Sequence, residues 1–197
     1  MLPRIQSPCP RCAAQDATHD APGMSCGACQ KNPPAFVATH AAFRYAAPVD
    51  KLIQDLKYNR RLELSRVLGI YLTDYLKQQE HILPDMIIPV PLHPTRLRER
   101  GYNQALEIAR FVGAHFRLPV SATDVQRIRA TLPQTELSRE QRRKNMHGAF
   151  RARRAFTGLR IAIVDDVMTS GHTADALARC LTENGAAEVR VWVLARA

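Results

Sequence analysis

Residues 161–173 read IAIVDDVMTSGHT: an apolar run, two adjacent aspartates, then small hydroxyl residues and a glycine. A buried strand needs neither the acids nor the glycine, so this stretch holds something outside the core. In an open parallel sheet, ligands bind beyond the carboxyl ends of strands, where loops enter helix N-termini. Asp165 and Asp166 stand at such an end, and Val167, Met168, Thr169, Ser170, Gly171 and His172 carry the chain to a helix beginning near Thr173. That loop offers backbone amides, hydroxyls and an unhindered glycine at the positive end of a helix, which suits a phosphate group. Carboxylates would repel phosphate, so the acids suit its neighbours, either vicinal hydroxyls or a magnesium ion. A sugar phosphate with a cis-diol satisfies both halves, its diol on Asp165 and Asp166 and its 5′-phosphate in the Thr169–Thr173 cradle.

Outward from this stretch, strands alternate with helices. PPAFVATHAAFRY reads as short strands, and PVDKLIQDLKYN has Val49, Leu52, Ile53 and Leu56 at helical spacing behind a proline suited to a first turn. A second helix spans Leu62 to Gln79 with Val67, Leu68, Tyr71, Leu72, Tyr75 and Leu76 as its expected buried stripe. Met86 to Val90 is a short strand ending in a loop stiffened by Pro89, Pro91 and Pro94, where one peptide is a candidate for the cis form. NQALEIARFVGAHF gives a third helix, with Asn103 placed as its N-cap. DVQRIR is a possible strand, SREQ at 138–141 fits a capping box opening a brief basic helix, and GAFRARRAF forms a β-excursion. Arg160 to Val167 is a strand, Thr173 to Glu183 a helix closed by Asn184 and Gly185, and Glu188 to Ala195 a final strand. Alternation of this kind indicates α/β layers with parallel crossovers.

Four of the five cysteines form two C-x-x-C pairs, Cys9/Cys12 and Cys26/Cys29. Two such turns can place four thiolates tetrahedrally around one cation, and zinc is the natural occupant. Four sulfur ligands leave no open position for a water, so such an ion folds the chain and does not catalyse. Two disulfides and an iron–sulfur cluster remain alternatives by ligand type. Cys180 falls in an apolar helical pattern and reads as a core residue.

The 197 residues suffice for one core with a small appended module. No apolar run approaches the roughly 20 residues of a membrane span, and the first residues lack the apolar segment of a secretion signal, so a cytoplasmic location without membrane insertion is expected. The net charge of +10 is concentrated between Arg96 and Arg160, which holds 15 Lys/Arg against 5 Asp/Glu, while the remainder balances. Such a local surplus points to an anionic partner, whether polyphosphate, nucleic acid or an acidic surface. With only 6% aromatic residues, base-stacking platforms for single-stranded DNA are sparse.

The acidic pair, short spacer and T-S-G-x-T resemble the phosphoribosyl pyrophosphate signature of type I phosphoribosyltransferases. From the cysteine pairs onward, the chain is similar to the ComF/GntX-like family, associated with competence and DNA uptake in bacteria. The matching pieces are KLIQDLKY (51–58), IIPVPLHPTRLRERGYNQA (87–105), RIRATLPQTEL (127–137), RRKNMHGAF (142–150) and VDDVMTSG. The resemblance implies a parallel sheet flanked by helices over residues 46–197, preceded by a zinc ribbon and leading strands over residues 1–45. It implies binding of phosphoribosyl pyrophosphate or ribose 5-phosphate with magnesium, and displacement of pyrophosphate from C1 by a nitrogen nucleophile. Asp165 and Asp166 would be the catalytic acids on that reading. The turn Val90, Pro91, Leu92, His93 would present main-chain amides to the pyrophosphate, and Arg96, Arg98 and Arg100 would fold over it as bidentate phosphate partners. His172 departs from the family's small residue at that position. Single-stranded DNA, a competence helicase or other uptake proteins are further expected partners, with a non-catalytic DNA-handling or docking role as the alternative. No nucleobase pocket is recognisable; the hood that selects the acceptor is expected from the cysteine module and the helices before Asp85.

Overall fold

In the computed structural model, residues 2–15, 23–79, 82–129 and 148–197 are described. The central strand is β5 (Arg160–Met168), whose residues 161–164 are all buried. A strand covered on both faces must be apolar at successive positions, and IAIV meets that requirement. Three other strands run parallel to it: β1 (Ala38–Arg44), β2 (Met86–Pro89) and β6 (Glu188–Arg196), in the order β1-β6-β5-β2. Ile88 is level with Ile163, and Asp165 with Val193, so the acids emerge at the carboxyl edge of the sheet. β1, one of the strands leading out of the cysteine module, is hydrogen-bonded into the main sheet beside β6.

One face is covered by α2 (Val49–Tyr58), α3 (Leu64–Gln79) and α5 (Gln104–Phe116), which pack Ile53, Leu56, Leu72, Ile108 and Val112 around the fully buried Trp192. The other face is covered by α6 (His172–Glu183) and by a two-stranded antiparallel ribbon of β3 (Val125–Arg127) and β4 (Phe150–Ala152). The capping box at 138–141 and the basic residues Arg142, Arg143 and Lys144 lie outside the described residues. A short helix, α1 (Gly27–Lys31), carries Cys29.

Three expectations change. The stripe of α3 is Leu64, Leu68, Leu72 and Leu76 with Ser65, Gly69 and Thr73, whereas Val67 and Tyr71 are 43% and 38% exposed. The stripe turned because Gly69, which has no side chain, faces the neighbouring helix. At Gly69 a Cβ would meet Phe111 Cβ of α5 at 2.7 Å, so that site admits no side chain. Pro94 to Arg100, read as loop, is a helix, α4: Pro94 occupies its first turn, His93 caps it by accepting from Thr95 N, and Gly101 ends it at φ 86°. The cis peptide among the described residues is Ala47–Pro48, not a bond of the 89–94 turn.

Candidate functional site

Neighbouring residues of a strand point to opposite faces, so the two aspartates meet different neighbours although both reach the same cavity. Asp166 is buried at 2% exposure, and its Oδ2 lies 2.9 Å from Lys57 Nζ at the end of α2. Its Oδ1 accepts from Val167 N at 2.7 Å. Burial opposes the charge on Lys57, but the Asp166 carboxylate overcomes this and holds the ammonium above the ordinary lysine range. The Tyr102 hydroxyl donates to Leu56 O, fixing the last turn of α2 that carries Lys57.

Asp165 stays only partly buried, with Oδ1 accepting from Asp166 N at 2.9 Å. Desolvation, followed by repulsion from Asp166, raises its carboxyl to about 8 despite the opposing pull of Lys57. Arg127 of β3 is also held in this field: burial depresses its guanidinium while Asp165 supports it. The adjacent acids thus differ in surroundings: Asp166 is paired with a cation, and the Asp165 carboxyl is pushed up by burial and by its neighbour.

Both acids line a cavity of about 700 Å³ whose wall continues through all of 165–174. Gly171 takes φ 78° there, and a Cβ would meet Met168 Cε at 2.8 Å. No side chain caps α6. The amides of Ser170, Gly171, Thr173 and Ala174 have no acceptor among the described residues, so they remain available to an anion. His172 Nδ1 and Ser170 Oγ are 2.7 Å apart, which folds the imidazole back on its own loop.

Across the cavity stands the turn after β2. Val90 N donates to Val164 O at 2.9 Å, and Pro91 has no N–H. Amide donation from this turn therefore narrows from four residues to Leu92 and His93, both lining the cavity. Asn103 braces the turn by donating from Nδ2 to Val90 O at 3.0 Å, while its Oδ1 accepts from Ala105 N and caps α5. Asn103 is thus the N-cap expected from the sequence and a brace for the turn as well.

The three arginines separate because they lie on a helix. Positions four apart share a face and a position two apart does not, so Arg96 and Arg100 line the cavity and Arg98 is absent from its lining. Arg100 is held by donation from Nη1 to Gln104 Oε1 and lies over Tyr58 at 5.5 Å from the ring centroid. Lys57, Tyr45, Tyr58 and Arg127 are lining residues that sequence reasoning missed. For Lys57, the available signal was a cation in the last turn of the amphipathic helix that follows β1. For Arg127 there was none, since its position follows from the ribbon fold.

The four cysteines come together. Their Sγ atoms all lie within 4.8 Å of one another, and Cys12 and Cys26 are 3.7 Å apart. A tetrahedral ion with Zn–S bonds of about 2.3 Å requires S···S edges of roughly 3.8 Å, so the four thiols fit one such ion. Burial raises the Cys9 thiol, but amide donors of Cys12, Cys26 and Arg11 outweigh it and bring the group down to about 7, whereas burial pushes Cys12 up to about 11 and Cys29 higher still. All five cysteines are free thiols, which sets aside the disulfide alternative.

The phosphoribosyl transferase domain family matches residues 103–197. The chain is 35% identical over 192 residues to the DNA utilization protein YhgH of Salmonella typhimurium, covering 95% of this chain and 83% of that protein. It is 34% identical over 179 residues to competence protein F of Haemophilus influenzae, covering 87% and 78% respectively. Among solved structures, glutamine phosphoribosylpyrophosphate amidotransferase of Bacillus subtilis is 21% identical with a TM-score of 0.44, the match spanning 66% of this chain and 25% of that one. Near-complete coverage by these relatives, the transferase domain over the acid pair and loop, and the four clustered thiols at the other end agree: the chain belongs to the ComF-like family of phosphoribosyltransferase-fold proteins.

Proposed function

We propose that the cavity binds phosphoribosyl pyrophosphate or ribose 5-phosphate together with magnesium, and that the protein uses this site in DNA uptake or utilization. The observation that carries this reading is the set of amides at Ser170, Gly171, Thr173 and Ala174 with no acceptor among the described residues, beside the cavity-lining carboxyl of Asp165. The 5′-phosphate occupies the loop at the start of α6, and the ribose hydroxyls reach Asp165 as hydrogen-bond donors. The pyrophosphate lies between the amides of Leu92 and His93 and the guanidinium groups of Arg96 and Arg100.

Magnesium would be held largely by phosphate oxygens and water, with the Asp165 carboxylate as a hard oxygen donor from the protein. When bound, it neutralises charge on the pyrophosphate. In pentosyl transfer, a nitrogen lone pair forms the new C1–N bond as the C1–O bond breaks and its electron pair departs with the pyrophosphate. Arg96 and Arg100 stabilise that departing charge, and the proton released by the nitrogen passes to solvent. Zinc is the proposed occupant of the four-cysteine site. A location in the cytoplasm accords with the free thiols, and no helix among the described residues is long and apolar enough to cross a membrane.

The second reading, a DNA-handling or partner-docking role without turnover, draws on the positive surplus between Arg96 and Arg160 and on the DNA-related names of the relatives. It uses the same anion-receiving cavity. Calorimetric titration of phosphoribosyl pyrophosphate with magnesium separates binding from its absence. Wild type is expected to bind, and Asp165→Asn/Asp166→Asn to lose at least about tenfold in affinity, consistent with charge-assisted hydrogen bonds worth roughly 1.5–3 kcal/mol each. Undiminished affinity in the double variant contradicts the ribose site. Pyrophosphate release with a nitrogen acceptor, or its absence across an acceptor screen, then divides transfer from the second reading.

A further inference from the structure

The cysteine turn and the phosphate loop are far apart in sequence, yet one side chain touches both. Arg196, at the end of β6, donates from Nε to Cys12 O at 3.0 Å, and from Nη1 to Met168 O at 3.1 Å and to Thr169 O. A second tie runs alongside it. Thr39 of β1 donates from Oγ1 to Arg11 O at 2.7 Å, its amide meets Pro10 O at 3.3 Å, and the same hydroxyl is 4.0 Å from Met168 Sδ. Met168 in turn closes the space under Gly171. The first C-x-x-C turn therefore rests, through Arg196 and Thr39, on the residues that begin the loop.

We propose that Arg196 is a positioning residue that couples the metal-bound state of the four-cysteine cluster to the geometry of the 168–173 loop, and thereby to its affinity for a phosphorylated sugar. A guanidinium is suited to this because its planar fork can serve carbonyls from separate segments at once, where a single ammonium holds them less rigidly. Loss of the ion releases the turn that presents Cys12 O. Arg196 then keeps its bonds to Met168 and Thr169 without the anchor that fixes its direction, and the loop amides lose their common aim. The effect on ligand rests on the phosphoribosyl reading above; the effect on the loop does not.

The test uses the full chain, zinc-loaded and then chelated, as wild type, Arg196→Met and Arg196→Lys. Amide resonances of residues 168–173 report the loop without any ligand, metal analysis reports the cluster, and titration with ribose 5-phosphate reports affinity. Chelation of wild type is expected to shift the loop resonances and weaken ribose 5-phosphate at least about tenfold. In zinc-loaded Arg196→Met the same resonances are expected to be displaced while the metal content stays at one ion per chain, and chelation adds less than about twofold. Arg196→Lys is expected to recover part of the displacement. Amides of α3 serve as the control for general destabilisation and should stay in place. Loop resonances unmoved in zinc-loaded Arg196→Met overturn the proposal, and this arm decides even where the chelated chain unfolds. Unmoved resonances on chelation of folded wild type overturn it equally. Resonances that behave as expected in a chain that binds no ribose 5-phosphate leave the coupling intact and refute the sugar-phosphate site alone.

Discussion

Replacing Lys57 by methionine is expected to lower the folding free energy by about 2–4 kcal/mol, read as a shift of the urea midpoint. Breaking a buried ion pair by removing one partner typically costs roughly 3–5 kcal/mol, because the surviving charge has no counterion. Lys57 retains 20% side-chain exposure against 3% for Asp166, so water relieves part of that cost. The companion variant Lys57→Met/Asp166→Asn removes the stranded charge as well and is expected to recover most of the loss. A single-variant loss within about 0.5 kcal/mol would place the pair with ordinary surface ion pairs and remove its structural importance. The substitution also reaches the ligand site: Lys57 is the cation that draws the Asp165 carboxyl downward, and its loss leaves that group protonated to higher pH.

Raising the pH from 7 to 9 is expected to strengthen binding of magnesium phosphoribosyl pyrophosphate by about tenfold. The Asp165 carboxyl is raised to about 8 by burial and by the adjacent Asp166, so it is mostly protonated at pH 7 and mostly ionised at pH 9. Sugar hydroxyls and magnesium both favour the carboxylate. Phosphate monoesters have their second ionisation near pH 6, below this window, so the ligand's own phosphate contributes little. The effect on folding has the opposite sign. A carboxyl raised above its unfolded value of roughly 3.9 takes up a proton on folding, and its contribution to stability, full below that value, is lost as the pH rises through about 8. Affinity therefore rises while the stability of the free protein falls over the alkaline part of the range, and Asp165→Asn flattens both profiles. Equal slopes in wild type and Asp165→Asn would assign the titration to another group.

The strands and most helices were legible in the sequence because each has one dominant period. IAIV before the acids, and the spacing of Ile53, Leu56, Ile108 and Val112 in α2 and α5, match their burial. The α4 helix was hidden by its own prolines, which stiffen a loop and start a helix equally well. In α3, apolar periodicity favoured Val67 and Tyr71, but the contact with α5 is made where Gly69 leaves room for Phe111. That is information about the neighbour, not about the helix. The turn from β5 into α6 was legible because it is set locally, by small residues and by the positive φ of Gly171. The electrostatics of the acids were not, because Lys57 and Arg127 arrive from distant segments. An adjacent pair of carboxylates looks like one feature in sequence, and strand geometry makes it two.

The central claim is that the cavity closes around a phosphorylated pentose, and a crystal of the full chain grown with ribose 5-phosphate and magnesium tests it most directly. The expected density places the phosphate within about 2.7–3.2 Å of the Ser170, Gly171 and Thr173 amides and a ribose hydroxyl on the Asp165 carboxyl, with the Lys57–Asp166 pair unbroken. A cavity that stays empty at saturating ligand, or a sugar phosphate lodged elsewhere while Asp165 keeps only protein partners, would contradict it.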